Sequence, residues 1–181
     1  MAYRVIYPEK YFAQTKVNSV TGSEIITLTE AKDYIRVDTT DDDTLITSII
    51  KQARIYAENY MSRDIVAKNR SLYLPYVEKR FLLPFSPIAS ISSVTVEGIA
   101  TTAYETFGLL DDIISLNSRP SKDVEVTYIT EGMSDELLKG AVLQLVSTFY
   151  DNRSDFYVGE TVNEIPTEAK RMLDSFKSMF I

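Results

Sequence analysis

RVDTTDDDTL, Arg36 to Leu45, places four aspartates within six residues: Asp38, Asp41, Asp42 and Asp43. A metal site, a catalytic carboxylate cluster and the start of a helix would all use such a run. The residues that follow decide among them. Leu45, Ile49, Ala53, Tyr56 and Tyr60 recur at helical spacing, and Ile46, Ile50, Ala57 and Met61 widen the same face. Thr40 or Asp41 is placed to cap this helix, which puts Asp42 and Asp43 in its first turn. A carboxylate there meets the positive end of the helix dipole, worth about 0.3–1 kcal/mol when exposed. An EF-hand calcium loop opened at Asp38 needs Gly at its sixth place and Glu at its twelfth, where this chain has Asp43 and Ile49. The run reads as a helix start, with a weak cation site as the alternative.

Working outward, ITLTEAKDYIRVD precedes the run. Thr27 and Glu30 form a capping-box pair, and Leu28, Ala31, Ile35 and, more loosely, Tyr34 make one apolar stripe. A short helix ending around Val37 is expected. The longer helix after the run should stop near Ser62 or Arg63. Its outer positions Lys51, Arg54 and Glu58 read as a solvated face, on which Arg54 and Glu58, four apart, can pair at little gain.

From Ile65 to Gly132 the period changes to two. SLYLPYV, RFLLPF, SISSVTVEG, DDIISLN and DVEVTYITEG are strand-like, and Pro75, Pro84, Pro87 and Pro120 confine their strands to edges or ends. Gly98, Gly108 and Asn117 mark turns. A small, mostly antiparallel sheet of four or five strands is expected. Helical period returns in MSDELLKGAVLQLVSTFYDNR, with Ser134 as cap and Leu137, Ala141, Leu145 and Phe149 as the buried stripe, broadened by Leu138, Val142 and Val146. Gly140 inside it signals either close backbone approach or simple tolerance. After a polar loop, IPTEAKRMLDSFKSMFI starts a last helix at Pro166, with Ile165, Ala169, Met172, Leu173 and Phe176 inward. Before all of this, residues 1–26 read as an extended arm with one short strand, or a partly disordered terminus.

Composition removes much chemistry. The chain has 181 residues, 45% of them hydrophobic, which suits one domain or one domain with a sizeable insertion. It contains no cysteine and no histidine, so disulfides, thiolate chemistry and any Ser-His-Asp triad are excluded. No G-x-G-x-x-G or G-x-x-x-x-G-K phosphate cradle is present. A formal net charge of −7 disfavours tight phosphate binding and suits a surface that DNA slides past. No apolar run approaches the ~18–20 residues that span a membrane, and MAYRVIYPEK lacks the apolar core of a signal peptide, so synthesis in the cytoplasm is expected.

The order of elements is short helix, Asp-rich turn, long helix, β insertion, a third helix ending in YDNR, loop, and a Pro-started helix. In ITLTEAKDYIRVDTTDDDTLITSIIKQARIYAENYMSR, ELLKGAVLQLVSTFYDNR and IPTEAKRML, the chain resembles the head–tail connector (adaptor) proteins of tailed bacteriophages and prophages. The likeness runs from about Ile26 onward, with residues 65–132 similar to the insertion of the family's longer members. It implies an α+β fold: a four-helix connector core split into residues 27–64 and 133–181 around the β insertion; the N-terminal arm, residues 1–26, finds no counterpart in this likeness. It also implies a non-enzymatic virion part that needs no cofactor or metal. Such proteins form a ring, typically twelve-fold, below the portal protein; the ring extends the DNA channel and receives the next head-completion or tail protein.

On that reading Phe176, Met179, Phe180 and Ile181 are candidates for portal docking, because they carry apolar character to the last residue. Burial in the chain's own core is the competing explanation. Asp38, Asp41, Asp42 and Asp43 are channel-lining candidates, through which DNA would pass without specific binding. Arg54, Glu58 and Arg153 are candidates for contacts between subunits; Arg153 could equally favour the dipole of its own helix. Two other classes stay open. A magnesium-dependent carboxylate hydrolase would use Asp111 and Asp112 in GLLDDIISL, which a turn explains as well. A free-standing protein-binding module would use its helices to recruit partners.

Overall fold

The computed structural model describes residues 13–78, 80–118, 120–152 and 167–177. The chain forms two compact units, Ser23–Val66 with Met133–Ile181, and Met1–Gly22 with Ala67–Gly132.

The first unit is helical among the described residues, with α1 (Leu28–Ile35), α2 (Asp43–Met61), α3 (Glu136–Asp151) and α4 (Thr167–Asp174). Helix α1 ends two residues earlier than the apolar pattern suggests, because Arg36 turns into the left-handed region at φ 58° and closes the helix on the Lys32 carbonyl. Helix α2 closes the same way at Ser62, φ 56°, as expected. Ile46, Ile49, Ile50, Ala53, Ala57 and Met61 of α2 share one core with Leu138, Ala141, Val142, Leu145 and Val146 of α3, and with Ala31, Ala169 and Leu173. Two stripe assignments need correction. Leu45 and Leu137, each placed at the head of a buried stripe, are exposed, and their neighbours Ile46 and Leu138 take the inward positions. The cap of α3 is correspondingly Asp135 rather than Ser134; its Oδ1 accepts the Leu137 amide at 2.8 Å. A Cβ added to Gly140 would meet nothing within 4 Å, so tolerance rather than close packing explains that glycine.

The larger correction concerns Arg54 and Glu58. Both were expected on a solvated face, yet they are only 6% and 3% exposed. The chain ahead of α1, anchored by buried Ile26, brings Glu24 onto this side of α2, where its Oε2 accepts Arg54 Nε at 2.8 Å.

The second unit is built of β1 (Gln14–Val20), β2 (Lys68–Val77), β3 (Phe81–Leu82), β4 (Ile88–Val96), β5 (Ile99–Ala100), β6 (Tyr104–Phe107), β7 (Ile113–Leu116) and β8 (Ser121–Thr130). These make two sheets, not one: a five-stranded sheet in the order β1-β2-β8-β4-β5 and a three-stranded sheet in the order β3-β7-β6. All pairings are antiparallel. The core takes Leu72 and Val77 from β2, Val94 from β4, Ile114 and Leu116 from β7, and Val124, Val126 and Tyr128 from β8. Strands β5 and β6 escape the sequence pattern: both residues of β5 are exposed, and β6 has Tyr104 and Phe107 half-buried around exposed Glu105 and Thr106, which is not alternation. Between β4 and β5, Glu97 (φ 52°) and Gly98 (φ 78°) form the two-residue turn with both residues left-handed that antiparallel strands favour. Pro75 sits in an inner strand, yet the β1 ladder on β2 ends at Tyr73 and the β8 ladder passes from Leu74 to Tyr76. The proline thus lies where no ladder bond is required of it.

Candidate assembly surfaces

The Asp-rich turn divides its four carboxylates. Asp42 is the N-cap of α2, but its backbone (φ −97°, ψ 4°) leaves the side chain making no capping bond; neither Thr40 nor Asp41 caps. The Asp42 carboxylate instead accepts the hydroxyl of Tyr150, near the end of α3. Asp43 pairs with Lys32 Nζ at 2.6 Å, joining α1 to α2. Asp38 and Asp41 are exposed. Of the four channel-lining candidates, two are therefore engaged inside the helical unit and two face solvent.

Upstream, the capping box forms as read. The Thr27 amide donates to Glu30 Oε2 at 2.7 Å and the Glu30 amide to Thr27 Oγ1 at 3.2 Å. The bond from the Thr27 backbone, reinforced by its hydroxyl, holds the Glu30 carboxyl below its ordinary value.

Glu58 is the hub of a buried network at the C-terminal half of α2. Its Oε2 accepts Arg54 Nη1 at 2.7 Å, while Oε1 accepts the amides of Ile65 (3.0 Å) and Val66 (3.2 Å) where the chain leaves the helix. Burial works to lower the Arg54 pKa, but the hydrogen bond and charge of Glu24, with the charge of Glu58, outweigh it and raise the value. A contact between subunits needs surface that Arg54 and Glu58 lack. Their role is internal, and Arg153, the third candidate for that contact, lies outside the described residues.

The chain's last described turn is held by aromatic residues. Tyr56 and Tyr60 stack at 6.4 Å, Phe149 meets Tyr56 edge-on at 6.2 Å, and the Tyr60 hydroxyl donates to Asp174 Oδ1 at 2.7 Å. That bond to Asp174 raises the Tyr60 pKa. Lys177 Nζ lies 4.5 Å from the Tyr60 ring centre. Phe176 is half-buried against the helical core, with its amide donating to the Leu173 carbonyl at 3.0 Å. Met179, Phe180 and Ile181 lie outside the described residues.

Asp111 and Asp112 occupy the loop before β7. Asp111 has φ 50° and receives only a 3.4 Å contact from Thr106 Oγ1, while the Asp112 carbonyl accepts the Leu83 amide at 2.7 Å. This is turn geometry. Among the described residues no group of three or more carboxylates gathers where it could hold a metal ion. The sequence reading missed Glu24 and the exposed Leu82, Leu109 and Leu110 around this loop. The pair of leucines next to Gly108 was the available signal for the last two.

Residues 25–112 match the phage gp6-like head-tail connector protein family. That match spans just under half of the chain. It covers α1, α2 and strands β2 to β6 with the loop that follows, so the matched segment includes the Asp-rich turn, Arg54 and Glu58. No curated protein sequence matches the chain. Among solved structures, a chain from the neck of an empty GTA particle, computed with C6 symmetry, is similar at TM-score 0.70 and 16% identity, over 93% of this chain and 97% of that chain. A chain from the virion of a native gene transfer agent particle is similar at TM-score 0.69 and 13% identity, over 92% and 96%. The neck of the native GTA particle, computed with C12 symmetry, contributes a third at TM-score 0.69 and 17% identity, over 92% and 97%. At such identities the likeness establishes the fold, in which both units of the chain take part.

Proposed function

We propose that the protein is a structural head–tail connector, a ring subunit in the neck of a phage or phage-like particle, and that it catalyses no reaction. The observation that carries this reading is the conjunction of the connector-family match over residues 25–112 with a fold shared along 93% of the chain with a GTA neck subunit. The ring sits below the portal, extends the DNA path and offers a platform to the next neck or tail protein. A net charge of −7 suits a wall that repels phosphate and lets DNA pass. Exposed Asp38 and Asp41 are the channel-facing candidates that the geometry favours over Asp42 and Asp43, whose carboxylates serve Tyr150 and Lys32. Phe176, Met179, Phe180 and Ile181 are the proposed portal contact.

Truncation after Lys177 tests the assignment. The shortened protein keeps Leu173 and Phe176 and should fold, yet it should fail to join portal-bearing heads. Completed heads would sink the docking assignment. A ring of the full chain, seen by native mass spectrometry alone or on adding portal, tests the function itself. A chain that stays monomeric under both conditions is not a connector subunit.

A further inference from the structure

We infer that copies of this chain join edge to edge through their β units, with β1 of one copy lying along the open edge of β4 in the next. The inference rests on the ring reading above and supplies its contact. Among the described residues, β1 ends the five-stranded sheet on one side. On the other, β5 pairs with Thr95 and Val96 and the Thr101 amide bonds the Val94 carbonyl, so β4 from Ile88 to Ser93 has no strand partner on that edge among those residues. A ring needs two different surfaces on opposite flanks of each subunit, and one sheet supplies both.

Strand β1 is itself unfinished. All seven of its residues are exposed, including Val17 (43%) and Val20 (53%), so it buries neither face. Lys16 and an irregularity between Val17 and Ser19 are the devices it has against edge pairing; it carries no proline and no other charge. The opposite edge has a place for it. A groove of about 350 Å³ is lined by Ile88, Ala89, Ser90 and Ile91 of β4 and by Tyr104, Thr106 and Asp111 across from them. Strand β4 is irregular between Ile88 and Ser90 and between Ile91 and Ser93, which breaks the alternation and sets these four consecutive residues along one groove. Its single charged residue is Asp111, opposite in sign to Lys16.

Strand direction also agrees. With antiparallel pairing throughout β1-β2-β8-β4, β1 and β4 run in opposite senses. A rotated copy that keeps its strand direction therefore brings β1 antiparallel to β4. The same operation repeats at every subunit, as a cyclic ring requires.

The chain lacks cysteine, so cross-linking reads the contact directly. Full-length V17C and S90C, mixed under ring-forming conditions and oxidised, should give covalent dimers that neither gives alone. The double variant should give a ladder of higher species. A ring that forms without these cross-links overturns the edge contact and leaves the connector reading standing. Covalent dimers from V17C alone overturn it in favour of two-fold β1–β1 pairing, and no ring under any condition overturns both. Independently, K16E should weaken association about two- to five-fold per contact, and D111K in the same chain should restore it. Weakening without restoration refutes the pairing.

Discussion

Glu58→Ala isolates the buried hub of the helical unit. Glu58 gives one oxygen to Arg54 at 2.7 Å and the other to the Ile65 and Val66 amides at 3.0 and 3.2 Å. Removing one member of a buried ion pair costs about 3–5 kcal/mol, because the remaining charge keeps its desolvation penalty. Arg54 retains Glu24 at 2.8 Å, which puts the expected loss at the lower end, about 3 kcal/mol. For a unit of this size that lowers Tm by roughly 12–24 °C. Glu58→Gln keeps an acceptor for the two amides and gives up the charge, so about 1–2 kcal/mol is expected. Glu24→Ala should cost under about 1 kcal/mol, because the Glu24 side chain is 27% exposed and water replaces it. Urea unfolding followed by far-UV circular dichroism gives the order, and hydrogen exchange at the Ile65 and Val66 amides gives its location. E58A within about 0.5 kcal/mol of the parent, or E24A as damaging as E58A, would refute the reasoning.

The remaining perturbations are smaller. Gly140→Ala should stabilise by about 0.5–1 kcal/mol, since the added methyl meets open space inside a helix, and thermal melting will show a higher midpoint. Gly98→Ala has equal space but a φ of +78°, so it should destabilise by about 1 kcal/mol in the same assay. Glu30 has a folded pKa lowered from 4.5, so its stabilisation is full above that value and is lost as pH falls through the lowered one. Both T27A and E30Q should flatten that acid limb in pH-dependent melts. Tyr60 has a folded pKa raised from 10.0, so its bond to Asp174 holds below that pH and fails as pH climbs through the raised value; Y60F should lack this alkaline limb.

Local rules served well where local physics decides. The Thr27–Glu30 box and the Ser62 stop of α2 follow from capping chemistry, and strands β2, β4 and β8 from alternation. What failed was decided at a distance. Arg54 and Glu58 stand at spacing typical of an exposed pair, and their other partners, Glu24 ahead of α1 and the Ile65 and Val66 amides beyond α2, lie outside the helix. Asp42 was read as a dipole charge, yet its partner is Tyr150 on another helix, more than a hundred residues away. Leu137 and Leu138 are equally apolar, and α3 had to be seen packed before either could be placed inward. Strands β5 and β6 exist because β4 and β7 give them ladders, not because their own sequences specify them.

The N-terminal strand shows how an element without an apolar face is held at all. Gln14–Val20 buries no residue, so it cannot be held by a core of its own. Its support comes from the antiparallel ladder to β2, from Asn18 Nδ2 donating to Asn69 Oδ1 at 2.9 Å and Ser71 Oγ at 3.0 Å, and from the Thr21 and Gly22 amides meeting the Ala67 carbonyl. These are polar bonds in contact with water, each worth about 0.5–1.5 kcal/mol net against the entropy of ordering the strand. Such a strand lies near the margin of stability in an isolated chain and gains most from a partner that covers it. Amide exchange along Gln14–Val20 should therefore be fast in the monomer and slow sharply on assembly. Protection already complete in the monomer would mean that the ladder to β2 suffices, and that β1 has no need of a neighbour.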